Sequence, residues 1–306
     1  MLQGPVTLAL LAIALLTLAG CSINTLVANA LTGGDAGTVF SGDEDPELVG
    51  SAIPFALKMY ETLLFSTPGH QGLMLTTGSM FVMYANAFVH GPADMMGNEQ
   101  WQEREEALAR AKRLYLRGHE ILMDAVRQKY PGFSAAAETE DGLADFLRRF
   151  RKPDVPLLYW TVASGLAAYS VDVFDFDLSA NIPAWHQMIL RAYELDPDFG
   201  GSTLDEFLLL YYASVPEMLG GDPELARKHF DLAMEKSGGG STGALISYAR
   251  SISVPEQDYE RFRDLLERAL AVDPNDNPEN RLVIILDQRR ARWLLENARD
   301  FFAFLP

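Results

Sequence analysis

Between Thr62 and Ala93 the chain carries no Asp, Glu, Lys or Arg, although charged residues make up 22% of its 306 residues. A surface helix shows an apolar stripe opposite a solvated one, so a helix with no charged face must be covered or must line a cavity. The stretch from His70 to His90, HQGLMLTTGSMFVMYANAFVH, is the centre of this segment. Gln71, Thr76, Thr77, Ser79, Asn86 and the two histidines interrupt it too often for a bilayer span, which needs about 20 consecutive apolar residues. It reads as the central helix of a large α domain. The small polar residues leave open a second reading as the wall of a ligand pocket, because pockets are mostly apolar with a few placed polar groups.

The length exceeds that of most single cores and favours two domains or an extended repeat array. With 48% hydrophobic residues, core material is ample. A net charge of −17 disfavours a nucleic-acid backbone as partner and leaves proteins and small molecules. The single cysteine excludes an intramolecular disulfide.

That cysteine has a particular position. Val6 to Ala19 is an apolar block of signal-peptide length, and it ends in Leu18-Ala19-Gly20-Cys21, which resembles a bacterial lipobox. The expectation is a leader over residues 1–20, a lipidated tether over 21–44 starting at Cys21, and a folded domain over 45–306. Ser22 after the cysteine favours the outer membrane by resemblance to other lipoproteins.

From Asp45 onward the punctuation is helical. Asp45-Pro46-Glu47, Asp222-Pro223-Glu224 and Asn277-Pro278-Glu279 each place a capping side chain, a first-turn proline and an acid at a helix start. Helices are expected over Pro46 to Phe65, over the uncharged stretch, over Glu99 to Gln128, near Leu143 to Phe150, and over the second nearly uncharged run VPLLYWTVASGLAAYSVDV. No stretch alternates with period two, so the fold class is all-α.

RAYELDP, HFDLAMEKSGG and RALAVDP align on Ala192, Ala233 and Ala269, with Ala226, Phe230 and Ala233 at the spacing A-x3-F-x2-A. Small residues where paired helices touch and a proline or glycine after the second helix are features of tetratricopeptide units of about 34 residues. The expectation is an α-solenoid of degenerate tetratricopeptide-like hairpins.

Catalytic and metal motifs are weak. His70, His90, His119, His186 and His229 are scattered without metal-ligand spacing. Asp172, Asp175 and Asp177, like Asp273, Asn275 and Asn277, lack the Gly and Glu of a calcium loop and read as helix caps and solvated turns. Gly238-Gly239-Gly240-Ser241 lacks the lysine of a phosphate loop and reads as a helix end and turn. Tyr211-Tyr212 and Met95-Met96 read as packing. No enzyme and no cofactor is indicated.

Four segments together resemble the T component of tripartite ATP-independent periplasmic (TRAP) transporters: Phe55 to Val89, Leu157 to Tyr169, Pro216 to Ser237 and Arg290 to Phe302. They occur in the expected order, and the chain departs at Ala163-Ser164-Gly165, where a second tryptophan is expected after Tyr159-Trp160. The resemblance implies a periplasmic lipoprotein of tetratricopeptide type, a homotrimer with a central pore, a solute-binding P component as partner, and a hydrophobic or organic-acid ligand. From the absence of charge, Met80, Tyr84, Asn86 and Phe88, together with Tyr159 and Trp160, are the candidate ligand-lining residues. The alternative is an envelope scaffold that binds only proteins.

Overall fold

Local capping chemistry sets where the chain turns. In a computed structural model describing residues 38–304, Asp45 accepts the Leu48 amide at 2.9 Å and Asp222 accepts those of Glu224 and Leu225, opening the helices α1 (Pro46–Ser66) and α8 (Pro223–Lys236). The expected leader, Cys21 and most of the tether lie outside the described residues. The third such start departs from expectation. Asn277 caps nothing with its side chain; the chain instead makes two 3-10 turns at Pro274–Asp276 and Pro278–Asn280, and the helix begins at Arg281. Asp273 folds back on the Asn275 amide at 2.9 Å and diverts the chain into the first turn.

The remaining longer helices are α2 (Gln71–Ala85), α3 (Trp101–Lys129), α4 (Glu140–Leu147), α5 (Val155–Val171), α6 (Ile182–Leu195), α7 (Thr203–Ser214), α9 (Thr242–Tyr248), α10 (Tyr259–Ala271) and α11 (Arg281–Glu296). Helices α2 and α9 each continue into a π-helical turn, at Asn86–His90 and Ala249–Ser253. No strand occurs among the described residues, and the chain is all-α.

The uncharged helices lie at the centre of the first half. Helix α2 packs on α1, α3 and α5, and α5 packs on α3 and α6. Their hydroxyls are satisfied within their own helices: Thr77 donates to the Leu73 carbonyl at 2.7 Å and Thr161 to that of Leu157 at 2.7 Å. This back-bonding lets small polar residues sit in a core without an outside partner. Helices α2 and α3 meet at Gly78 and Gly118, where a Cβ on Gly118 would lie 2.8 Å from the Gly78 carbonyl oxygen.

In the second half, α7 packs on α8, α9 on α10, and α10 on α11. Ala192, Ala226, Ala233 and Ala269 are fully buried. Gly238 and Gly239 end α8 with φ of 60° and 89°, a left-handed turn that other residues adopt at a cost. The first and last parts of the described chain touch: α11 packs on α1 and on the short helix Thr38–Ser41. Arg289 of α11 pairs with Glu47 of α1 at 2.6 Å, and Arg290 with Asp94 at 3.0 Å.

Candidate functional site

The scattered histidines are explained by their partners. His70 caps α2 by accepting the Leu73 amide at 3.0 Å, and His119 lies 2.9 Å from the Ser164 hydroxyl. His186 contacts the Tyr212 hydroxyl at 3.1 Å, and His229 lies 2.8 Å from the Asp205 carboxylate. That buried carboxylate also accepts from Tyr193 at 3.0 Å and pairs with Lys236 at 2.8 Å, a network that ties α7 to α8. Among the described residues, no group of three or more His, Cys, Asp or Glu side chains is placed to hold a metal ion.

The candidate lining residues separate into four environments. Met80 is buried in the α2 core at 5% exposure, and Asn86 faces solvent. The Tyr84 and Phe88 rings lie tilted against each other at 5.9 Å; Arg110 donates to the Tyr84 hydroxyl at 3.1 Å, and Phe88 lies against Gly50 of α1. Tyr159 and Trp160 belong elsewhere. Their rings lie 5.0 Å apart, and Tyr159 also meets Phe199 and Phe207, each at 5.6 Å. No ring contact joins Tyr84 or Phe88 to Tyr159 or Trp160 among the described residues. The departure at Ala163-Ser164-Gly165 also has a steric counterpart, because the Trp185 indole fills the space beside Gly165.

The Tyr159 cluster adjoins a pair of carboxylates. Glu206, one residue before Phe207 on α7, accepts hydrogen bonds at Oε1 from Ser202 at 2.6 Å and from Ser241 at 2.7 Å. Asp287 of α11 accepts at Oδ2 from Thr242 at 2.6 Å. Gly243 brings the two acids together: a Cβ there would lie 2.8 Å from Glu206 Oε2 and 3.9 Å from Asp287 Oδ2. Both acids and Tyr159 keep accessible surface. Asp287 is nonetheless so enclosed that desolvation pushes its carboxyl up to about 6, with the Glu206 charge adding to the rise. Desolvation also raises the Tyr159 phenol, again with a contribution from Glu206. These partly exposed groups sit together in a recess where α5, α7, α9 and α11 meet.

One turn further along α11, Arg290 closes the recess on a second polar cluster. Asp94 Oδ2 accepts from Arg290 and from Arg250, both at 3.0 Å, and its Oδ1 lies 3.6 Å from His90 Nε2. Burial opposes ionisation of Asp94, but the Arg250, His90 and Arg290 charges outweigh it and hold the carboxyl below the usual range. Burial lowers the pKa of His90 as well and favours its neutral form, and it lies 3.1 Å from the Tyr115 hydroxyl. Both π-helical turns contribute to this cluster, one supplying His90 and the other Arg250. Such turns are frequent at functional sites.

Glu206, Asp287, Arg250 and Asp94 carried no sequence signal, because each lies in an ordinary amphipathic helix or turn. The one available hint was the i, i+3 spacing of Asp287 and Arg290, which places acid and base on one helix face.

Comparison with known proteins bears on what this body is for. A curated relative, an uncharacterized protein of Treponema pallidum (strain Nichols), is 35% identical over 274 residues, covering 89% of this chain and 85% of its own length. The family model of the TRAP transporter T-component matches residues 42–302. T-components are periplasmic, transporter-associated accessory proteins. By its sequence, from the turn before α1 to the last described residues, this chain belongs to the TRAP transporter T-component family.

Proposed function

We propose that this chain is a non-enzymatic lipoprotein that docks to the solute-binding P component of a TRAP system and passes a ligand through its interior. In this reading Cys21 carries the lipid and holds the body on the periplasmic face of the outer membrane. The hairpins α5–α6, α7–α8 and α9–α10 act as degenerate tetratricopeptide-like units, and three copies assemble around a central pore. The observation that carries the reading is the T-component family match over residues 42–302, supported by the aromatic cluster of Tyr159, Trp160 and Phe207 beside a few polar groups. Of the two ligand classes the family resemblance suggests, the recess favours the hydrophobic one. The paired acids Glu206 and Asp287 would repel an organic anion at neutral pH.

The scaffold reading has its own support. Leu48, Phe55 and Met59 on α1 are 58%, 72% and 42% exposed, and they lie at helical spacing on one face. A protein partner or a second copy would cover such a face under either reading.

Two experiments test the proposal. The full chain and a TRAP solute-binding P component from the same organism, mixed at micromolar concentration, should co-elute on size exclusion; separate elution at all concentrations contradicts the docking role. Cys21→Ala should abolish lipid labelling and release the protein to the soluble periplasm, whereas retention in the membrane fraction would show a different anchor.

A further inference from the structure

We infer that the turn between α5 and α6, residues 172–177, is the surface that receives the P component. It is an aromatic knob of Val173, Phe174 and Phe176 set among acids, and it fits an apolar pocket rimmed by lysine or arginine. This rests on the proposed docking role and gives that role a place on the molecule.

The turn is built by its polar residues. The Asp175 amide donates to the Asp172 carbonyl at 3.1 Å, and the Asp175 carboxylate accepts the Leu178 amide at 3.0 Å, capping the short helix Phe176–Ser179. Lys112 of α3 reaches both flanking carboxylates, Asp172 at 2.8 Å and Asp175 at 2.7 Å, and pins the turn to the body. The tip therefore has its shape before anything binds, which lowers the entropy cost of association.

The residues carried at the tip do not serve that shape. Val173 and Phe174 occupy the two central positions of the turn, where Gly, Pro, Asn, Asp and Ser dominate. Val173, Phe174 and Phe176 are 51%, 83% and 84% exposed, and none of them packs on the hydrophobic core. Apolar residues scattered singly on a surface need no explanation. Two phenylalanines and a valine gathered on one pinned turn do, and aromatic side chains of this kind are enriched where proteins meet.

Charge decides between occupants. Asp172, Asp175 and Asp177 interleave with the apolar residues, and Lys112 neutralises one of the three charges. Segments that settle into anionic lipid carry lysine and arginine with their aromatics, so this turn is repelled from such a surface. A second copy would bring an equally acidic face, since the chain has a net charge of −17. A protein pocket with a basic rim gains from the rings and the acids together. Membership of the T-component family implies association with other TRAP transporter components, and the P component is the one that the proposed function names.

The test titrates the TRAP solute-binding P component from the same organism into the full chain by calorimetry. Phe174→Ser and Phe176→Ser should each weaken binding about tenfold or more, with helical circular dichroism unchanged because neither ring packs on the core. Asp177→Asn should weaken it about threefold and flatten its salt dependence, a change that a merely structural role would not produce. Phe55→Ser, on the exposed face of α1, should stay within about twofold of wild type. Wild-type affinity in both Phe174→Ser and Phe176→Ser, or loss of binding in Phe55→Ser alone, overturns this surface and leaves docking in place. If the two turn variants change the oligomeric state of the chain by itself, the knob meets a second copy; if they abolish cosedimentation with phosphatidylglycerol vesicles, it meets lipid. Either result overturns the assignment to the P component. Failure of the P component to bind wild type removes the docking role and this surface together.

Discussion

Asp94 and Arg290 are 196 residues apart in the chain and 3.0 Å apart in space. Arg250 binds the same carboxylate oxygen, so one acid at the end of the uncharged helix system holds two basic groups from the far half of the molecule. Removing it should be costly out of proportion to its size. Asp94→Ala leaves two partly buried guanidiniums without their counter-charge, and the expected loss is about 2–4 kcal/mol in urea unfolding. A change under about 0.5 kcal/mol, within the range of ordinary surface substitutions, would show that the cluster is not a structural tie.

The same carboxylate gives a pH signature. The folded-state pKa of Asp94 is depressed, so its contribution is fully present above the ordinary aspartate value and is lost as pH falls through the folded value. Asp154 and Asp205 behave alike: burial disfavours both charged forms, but Lys129 and Tyr130 for the first, and His229, Lys236 and Tyr193 for the second, hold the pKa values down. Wild-type stability should therefore drop steeply below about pH 4. Asp94→Asn should start lower at pH 7 and show a shallower acid limb; parallel limbs would rule Asp94 out as a contributor.

Asp287 has the opposite sign. Its carboxyl is raised to about 6, so the folded state is favoured at low pH, and that advantage disappears as pH rises from the ordinary aspartate value through about 6. Asp287→Asn removes the cost of holding a charge in the recess. It should raise stability at pH 7.5 by about 1–2 kcal/mol, a figure discounted for the wetted face of the carboxyl, and by much less at pH 4. A destabilised variant at pH 7.5 would mean that the ionised carboxylate is supported by its surroundings.

Gly118→Ala tests the close approach of α2 and α3. Helix propensity alone predicts a gain of up to about 1 kcal/mol. A Cβ 2.8 Å from the Gly78 carbonyl oxygen must instead push the helices apart. A net loss of about 1–3 kcal/mol is expected, as for other overpacked cores. Stabilisation would show that the interface has slack.

Much of the fold was legible in the sequence because it rests on local chemistry. The Asp45 and Asp222 caps, the Gly238-Gly239 helix end and the burial of the two uncharged helices all follow from short patterns. Asn277 misled because its side-chain oxygen accepts from the Asn280 side-chain amide instead of a backbone N–H, and the chain passes through two 3-10 turns before the helix begins. The candidate lining residues were less legible. Absence of charge on α2 marks burial on all sides, so it does not distinguish Met80 in the core from Tyr84 in a helix interface. The recess acids come from α7 and α11, and only the three-dimensional packing shows that Gly243 brings them to one point.

The central claim is that the space beside Tyr159, Trp160 and Phe207 admits an apolar ligand, and a Nile-red titration of the purified full chain tests it most directly. The account predicts saturable fluorescence enhancement with wild type, strong weakening with Trp160→Ala and Gly243→Leu, and near-normal binding with Tyr84→Ala and Phe88→Ala. Absence of saturable binding, or binding that Tyr84→Ala and Phe88→Ala abolish while Gly243→Leu leaves it intact, would contradict it.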